Sequence, residues 1–186
     1  KNEGTINGDN YCGGLLGYSY NVLEASASEN KADVKGGNYT GGYIGYTRTT
    51  SNLREAVNRN KVEGKAYIGG IVGCGYSSNL YYCENYGTIV STATITESDV
   101  AYSYVGGLAG YCALISNCKN TVNITGSGAR VGGLAGYVTG TISSSQNDGN
   151  VAGKNYTGGL AGYITGNITE CSNNGDVIGE NYTGGI

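Results

Sequence analysis

A hexapeptide repeat constrains the fold of this chain more than any other sequence feature. Copies of Gly-Gly-apolar-x-Gly-Tyr begin at Gly13, Gly41, Gly69, Gly106, Gly132 and Gly158, and Gly184 begins a further, partial copy. The copy at Gly69 ends in Cys74 instead of Tyr. Successive copies begin 28, 28, 37, 26, 26 and 26 residues apart. A period in this range indicates a stacked array in which each repeat contacts its neighbours.

Aligning the chain on the hexapeptide reveals further columns of like residues. An asparagine column, which we interpret as a structural ladder, comprises Asn2, Asn30, Asn58, Asn85, Asn120, Asn147 and Asn173. Four residues later stands a β-branched column of Ile6, Val34, Val62, Ile89, Ile124, Val151 and Val177. Two residues before each hexapeptide stands a tyrosine column of Tyr11, Tyr39, Tyr67, Tyr104, Tyr156 and Tyr182, with Arg130 at the fifth position.

These columns predict an all-β fold. Short apolar or β-branched segments alternate with Gly and Asn clusters, as strands alternate with turns, and no stretch keeps a helical period. We expect a single repeat domain over residues 1–186 that forms a β-solenoid, specifically a right-handed parallel β-helix. It would have about seven coils of 26–28 residues, one of them 37 residues long, with three strands per coil. Each asparagine would occupy a left-handed turn position and share its amide with the coils above and below, ~4.8 Å away.

The hexapeptide strand raises the question of which face is buried. Strict alternation in Tyr156–Tyr163 places Tyr156 and Leu160 on one face and Tyr163 on the other. Arg130 in the first set favours an outward orientation, because an unpaired buried Arg is costly. The tyrosine column would then flank an exposed apolar stripe typical of interaction surfaces. That stripe would contain Leu15, Tyr43, Ile71, Leu108, Leu134 and Leu160. The opposite orientation remains open.

Composition argues against several classes of function. Charged residues make up 13% of the chain and the net charge is −3, so we expect no nucleic-acid partner. No apolar run approaches the ~20 residues of a membrane span, so we expect no membrane insertion. The chain has no His, which excludes Ser-His and Cys-His nucleophile pairs within it. The carboxylates are scattered, and we expect neither an enzyme nor a cofactor or metal site.

The hexapeptide resembles the GLUG-motif repeat family, whose signature is Gly-Leu-x-Gly. The clearest matches are Gly107–Gly110, Gly133–Gly136, Gly159–Gly162 and Gly14–Gly17, whereas Tyr43 and Ile71 replace the Leu in two copies. This resemblance implies a large bacterial protein that is secreted or attached to the cell surface. Such repeats resemble stalks or adhesive segments, and the family has no catalytic residues to carry over.

The six cysteines allow two interpretations. Cys83, Cys118 and Cys171 share one column, and Cys83 and Cys118 belong to adjacent coils, within reach of a disulfide. Cys74 and Cys112 lie one column apart in the same two coils and offer a second bridge. The alternative is that the cysteines are buried free thiols.

The 37-residue coil contains an insertion near residues 90–100. Insertions in solenoids project from one edge, so this one is either a structural loop or a binding loop. Glu97 and Asp99 are weak evidence for a cation site. The chain begins and stops within a repeat, which favours a piece of a longer array over end-to-end stacking of copies.

Two functional hypotheses follow. The first is an extracellular stalk or fibre-forming segment of a bacterial surface protein, with end-to-end or lateral self-association. The second is an adhesin module that binds a host glycan or protein through the Tyr/Leu stripe or the 90–100 loop.

Overall fold

The computed structural model describes residues 1–21, 23–93 and 103–186. In these ranges the chain forms 32 short strands and no helix, and the strands make five parallel sheets. The chain visits the sheets, which we number I to V, in the same order in every turn. The described residues thus form about six turns of a β-solenoid, with two strands of a further turn. The predicted all-β solenoid is confirmed, with a turn number close to the expected seven, but each turn has five strands and not three.

The strands of each sheet recur at intervals of five along the chain. Sheet I contains β1 (Thr5–Asn7), β6 (Asp33–Lys35), β11 (Val62–Gly64), β16 (Ile89–Ser91), β21 (Ile124–Thr125), β26 (Val151–Ala152) and β31 (Val177–Ile178). Sheet II contains β2 (Cys12–Gly13), β7 (Thr40–Gly41), β12 (Tyr67–Gly69), β17 (Tyr104–Gly106), β22 (Arg130–Gly132), β27 (Tyr156–Gly158) and β32 (Thr183–Gly184). Sheet III contains β3 (Leu16–Ser19), β8 (Ile44–Thr47), β13 (Val72–Gly75), β18 (Ala109–Cys112), β23 (Ala135–Val138) and β28 (Ala161–Ile164). Sheet IV contains β4 (Leu23–Ser26), β9 (Ser51–Arg54), β14 (Ser78–Tyr81), β19 (Leu114–Ser116), β24 (Ile142–Ser143) and β29 (Ile168–Thr169). Sheet V contains β5 (Glu29–Asn30), β10 (Val57–Asn58), β15 (Glu84–Asn85), β20 (Lys119–Asn120), β25 (Gln146–Asn147) and β30 (Ser172–Asn173).

The register between turns pairs each column with itself. In sheet I, Val62 lies opposite Val34 on one side and Ile89 on the other, and Ile124 lies opposite Ile89 and Val151. This column packs with Ile68, Val105 and Val131 of sheet II into one apolar core cluster. A larger cluster joins the hexapeptide corners to sheets III and IV. The pairing of equivalent columns therefore determines both the strand register and the stacking of the core, although the length of the turns varies.

The hexapeptide is a corner between two strands, which corrects the expectation of an exposed leucine stripe. Strand β27 ends at Gly158 and β28 begins at Ala161, so the chain bends at Gly159 and Leu160. The bend breaks the alternation of faces and directs the apolar residue inward. Tyr43 is 2% exposed, and Ile71, Leu108, Leu134 and Leu160 are fully buried. Leu15 in the first turn is the exception in the column, with 51% exposure.

The left-handed backbone positions differ from the predicted ones. Asn30 and its counterparts through Asn173 lie in the strands of sheet V, so their predicted left-handed conformation is wrong. One left-handed column stands three residues earlier and contains Ala27, Glu55, Tyr82, Asn117, Ser144 and Glu170. A second comprises Tyr11, Tyr39 and Tyr182 of the tyrosine column. No described glycine has a positive φ, so the repeated glycines serve close backbone contact and not turn conformation.

Candidate functional site

The asparagine column forms one chain of amide hydrogen bonds through the solenoid. From Asn30 to Asn147, each Nδ2 donates to the Oδ1 of the asparagine in the next turn, at 2.8–2.9 Å, and Asn173 is the last acceptor. Each Nδ2 also donates to the carbonyl oxygen two residues further along its own turn, as Asn120 does to Val122 at 2.8 Å. The asparagines of the five turns from Asn30 to Asn147 are at most 2% exposed. A buried polar network of this kind is stabilising because both N–H groups of each side-chain amide have an acceptor.

Asn2 differs from the rest of the column. It pairs with Asn30 as an isolated bridge, and its Nδ2 donates to the Gly14 carbonyl oxygen at 2.8 Å. Its side chain is half-buried. The amide hydrogen-bond chain therefore begins at Asn30.

The second glycine of each hexapeptide lies against the ladder asparagine of its own turn. A Cβ built on Gly107 would lie 2.4 Å from Cγ of Asn120, and one on Gly133 would lie 2.4 Å from Cγ of Asn147. The same Cβ atoms would lie 2.3 and 2.2 Å from the glycine carbonyl oxygen of the next turn. Only glycine fits between the amide ladder and the neighbouring turn, which explains why the two columns recur together.

Two tyrosine columns meet on one side of the solenoid. The predicted column joins a second one formed by the last residue of the hexapeptide and by Tyr76. This second group contains Tyr18, Tyr46, Tyr76, Tyr111, Tyr137 and Tyr163. We call the two together the tyrosine ladder. Strict alternation had placed the two columns on opposite faces, but the corner brings Tyr156 and Tyr163 into edge contact, with ring centroids 6.0 Å apart. The sequence interpretation missed the second column for that reason.

Ring contacts connect the tyrosine ladder from turn to turn. Tyr39 stacks on Tyr11 at 5.0 Å and on Tyr67 at 4.7 Å, and Tyr111 meets Tyr137 edge-on at 4.8 Å. The middle of the ladder is buried, since Tyr67 and Tyr104 are each 7% exposed. Tyr11, Tyr18, Tyr163 and Tyr182, near the two ends of the ladder, are exposed. Tyr76 is exposed at the outer edge of a middle turn. The ladder is therefore a packed aromatic wall with a solvent-exposed edge.

Arg130 takes the place of a tyrosine within this wall. It lies in register with Tyr104 and Tyr156. Its guanidinium carbon lies 5.1–5.7 Å from the ring centroids of four tyrosines: Tyr104, Tyr137, Tyr156 and Tyr163. Cation–π attraction at these distances makes the half-buried cation compatible with the aromatic column.

Burial in the tyrosine ladder predicts a loss of stability in alkali. Burial raises the pKa of Tyr111 from 10.0 to about 12, and it raises the pKa of Tyr67 further. Because the folded state favours the neutral phenol, the unfolded chain loses these protons first. We expect the thermal unfolding midpoint to fall as the pH rises from about 10 towards 12, with little change below pH 9. Calorimetry across this range checks it.

The variant Tyr111→Phe provides the contrast for that experiment, because it removes one shifted phenol and retains the ring. It should reduce the alkaline loss, whereas Tyr182→Phe, at a 75% exposed position, should not. An identical alkaline loss in Tyr111→Phe and the unaltered chain would contradict the assignment to the buried ladder.

The structure contains all six cysteines, which lie within its described residues, as free thiols. Five are buried and Cys171 is half-buried. Cys74 lies opposite Tyr111 and packs with Tyr67 and Tyr104, whereas Cys112 packs in the larger apolar core. The two side chains pack in different clusters, which favours free thiols over the Cys74–Cys112 bridge that the sequence left open.

Part of the insertion lies outside the described residues. Ser91 ends β16, and the Thr92 N–H donates to the Gly64 carbonyl oxygen at 2.8 Å. Ser127 Oγ donates to the Ala93 carbonyl oxygen at 2.6 Å. The suggested loop ligands Glu97 and Asp99 fall in residues 94–102, beyond what the structure describes. Among described residues, no group of three or more Cys, Asp or Glu side chains is arranged to hold a metal ion.

Comparison with known protein families agrees with the repeat found in the sequence. The family model of the GLUG motif matches residues 153–178, which correspond to one turn of the solenoid. No curated protein and no solved structure matches the chain. The part of the chain that the structure describes contains no helix with the length and hydrophobicity of a membrane span.

Proposed function

From the GLUG motif in this chain and the ladders that run through its turns, we propose that it is a structural rod segment of an extracellular bacterial surface protein. GLUG motifs are typical of extracellular proteins. The observation that carries the proposal is the continuity of the asparagine ladder, in which each amide binds the next turn. A stack held by identical contacts at every step can be lengthened or shortened by whole turns, which suits a spacer.

The adhesin alternative has less support. Apart from Leu15, the leucine half of the expected binding stripe is buried. Among the described residues, the part of that stripe available to a ligand is the outer edge of the tyrosine ladder, whose rings already pack on one another. The 90–100 loop, the other expected binding element, lies partly outside the described residues. A rod accounts for these contacts without a ligand.

Labelling of cells tests the location. An antibody raised against the folded chain should label intact cells of the source organism. Labelling that appears only after permeabilisation would contradict an extracellular rod.

A glycan and host-protein binding screen with the folded chain separates the rod from the adhesin, since a specific, saturable ligand would favour the adhesin.

Removal of one turn tests the rod itself. Deleting residues 133–158 joins Gly132 to Gly159 and keeps every column in register, because Gly132 and Gly158 are equivalent. We expect a folded protein that is shorter along its axis by one strand spacing, ~4.8 Å, and that still unfolds cooperatively. Small-angle scattering and circular dichroism measure these two properties.

The matched control deletes residues 133–145, about half a turn, which places unlike columns opposite one another. We expect this variant to lose cooperative unfolding. If removing the whole turn were as disruptive as removing half of it, the stack would not behave as a modular rod.

A further inference from the structure

One pair of cysteines occupies equivalent positions in adjacent turns. Cys83 and Cys118 each stand two residues before a ladder asparagine, Asn85 and Asn120. The Lys119 N–H donates to the Cys83 carbonyl oxygen at 2.9 Å, so the two cysteines face each other across one turn spacing. A strand separation of ~4.8 Å lies within the Cα–Cα range of disulfides. The Cys83 N–H also donates to Sγ of Cys118 at 3.2 Å, which places that sulfur directly beside Cys83.

We propose that Cys83 and Cys118 are a redox-sensitive modification site, and that a disulfide oxidant converts them into a covalent bond that closes the long coil. In the reduced state that the structure shows, the Cys83 thiol donates to the Leu53 and Tyr81 carbonyl oxygens, at 3.4 Å each. Rotation about its Cα–Cβ bond turns its sulfur towards Cys118. The backbone of sheet V is already in the required register.

The remaining cysteines do not offer such a pair. Cys171 shares the column, but Ser145 stands between it and Cys118. Cys12 lies in sheet II of the first turn, and Cys74 and Cys112 pack in different clusters. The geometry therefore selects one pair of the six thiols.

The reaction is thiol–disulfide exchange. The thiolate of one of the two cysteines attacks one sulfur of a small disulfide and expels a thiolate, which takes up the proton that this cysteine has lost. The sulfur of the other cysteine then attacks the mixed disulfide, and its proton goes to the second thiolate that leaves. Two cysteine thiols are oxidised and one disulfide is reduced to two thiols.

Burial raises the pKa of Cys118 well above its usual value, so its thiolate is scarce while the turn is packed. Both side chains are buried, at 0% and 3% exposure, so exchange proceeds when the strands beside the two cysteines unfold locally or before they pack during folding.

The bond would act where the repeat is most irregular. It would enclose residues 84–117, which contain the insertion. A disulfide that closes a long loop removes more freedom from the unfolded chain than one that closes a short loop. The oxidised solenoid would therefore resist unfolding at the turn whose length departs most from the others.

Refolding in a glutathione redox buffer tests the proposal. The chain is unfolded, refolded with oxidised and reduced glutathione, alkylated, and digested with trypsin and a Glu-specific protease. Cleavage at Glu84 and Glu97 separates the two cysteines, so a bond between them links two peptides. We expect the loss of two of the six thiols and a rise in the unfolding midpoint of about 5–15 °C over the reduced chain.

Cys118→Ser is the matched control, because serine occurs in the same column at Ser145. The Cys118 N–H donates to Ser145 Oγ at 3.0 Å, just as the Cys83 N–H donates to Cys118 Sγ. Cys118→Ser should fold and lose both the linked peptides and the redox-dependent shift. Cys74→Ala and Cys112→Ala should retain both. Linkage that survives in Cys118→Ser, or six free thiols after refolding of the unaltered chain, would overturn the proposal.

Discussion

Replacing Asn120 with alanine is expected to lower the free energy of unfolding by about 3–5 kcal/mol. The change removes the acceptor of Asn85 Nδ2 and the donor to Asn147 Oδ1. It also leaves the Val122 carbonyl oxygen without its side-chain donor. Each buried polar group that loses its partner costs about 1–3 kcal/mol, because no water replaces that partner. Urea unfolding followed by circular dichroism measures the loss.

Asn2→Ala is the control for this substitution. Asn2 belongs to the same column, but it is half-buried and its amide binds Gly14 instead of another ladder amide. We expect a loss of at most about 1 kcal/mol. The variant Asn120→Asp adds a second contrast, since its carboxylate can accept from Asn85 but cannot donate to Asn147. Equal losses in Asn120→Ala and Asn2→Ala would show that the amide chain contributes no more than an ordinary surface contact.

The stacking of columns could be predicted from the sequence because parallel in-register pairing places equivalent positions of successive repeats opposite one another. Ile6, Val34 and Val62 lie opposite one another for that reason alone. The same reasoning selected Asn85 and Asn120 as neighbours, and the amides meet at 2.9 Å. Columns fix which residues are adjacent along the axis without any knowledge of the shape of one turn.

The shape of the turn is what the sequence interpretation did not resolve. Strict alternation through the hexapeptide placed Leu160 outside and separated Tyr156 from Tyr163. The backbone bends at Gly159, so the leucine enters the core and the two rings meet. The glycine pair in each hexapeptide was the sequence signal for this bend. Whether a glycine pair marks a bend depends on how closely the backbone of the next turn approaches it. That approach is a long-range property, which strand alternation does not encode.

Gly133→Ala tests the close approach directly and should lower the free energy of unfolding by about 3 kcal/mol or more. Its Cβ would lie 2.2 Å from the Gly159 carbonyl oxygen and 2.4 Å from Cγ of Asn147. The first atom belongs to backbone and cannot move without displacing the next turn. The second belongs to the buried ladder and cannot rotate away without losing its hydrogen bonds to Asn120 and Asn173. One methyl group thus strains the corner and the amide chain together.

Gly185→Ala is the matched control, because Gly185 occupies the same column. No atom lies within 4 Å of its Cβ position in this chain, and the residue is exposed. We expect a change within about 0.5 kcal/mol in the same denaturant experiment. The contrast separates the contact with the following turn from any intrinsic preference for glycine at this position. Comparable losses at both sites would indicate that the column requires glycine for its own backbone conformation, and the coupling of the glycine and asparagine columns would then have no energetic basis.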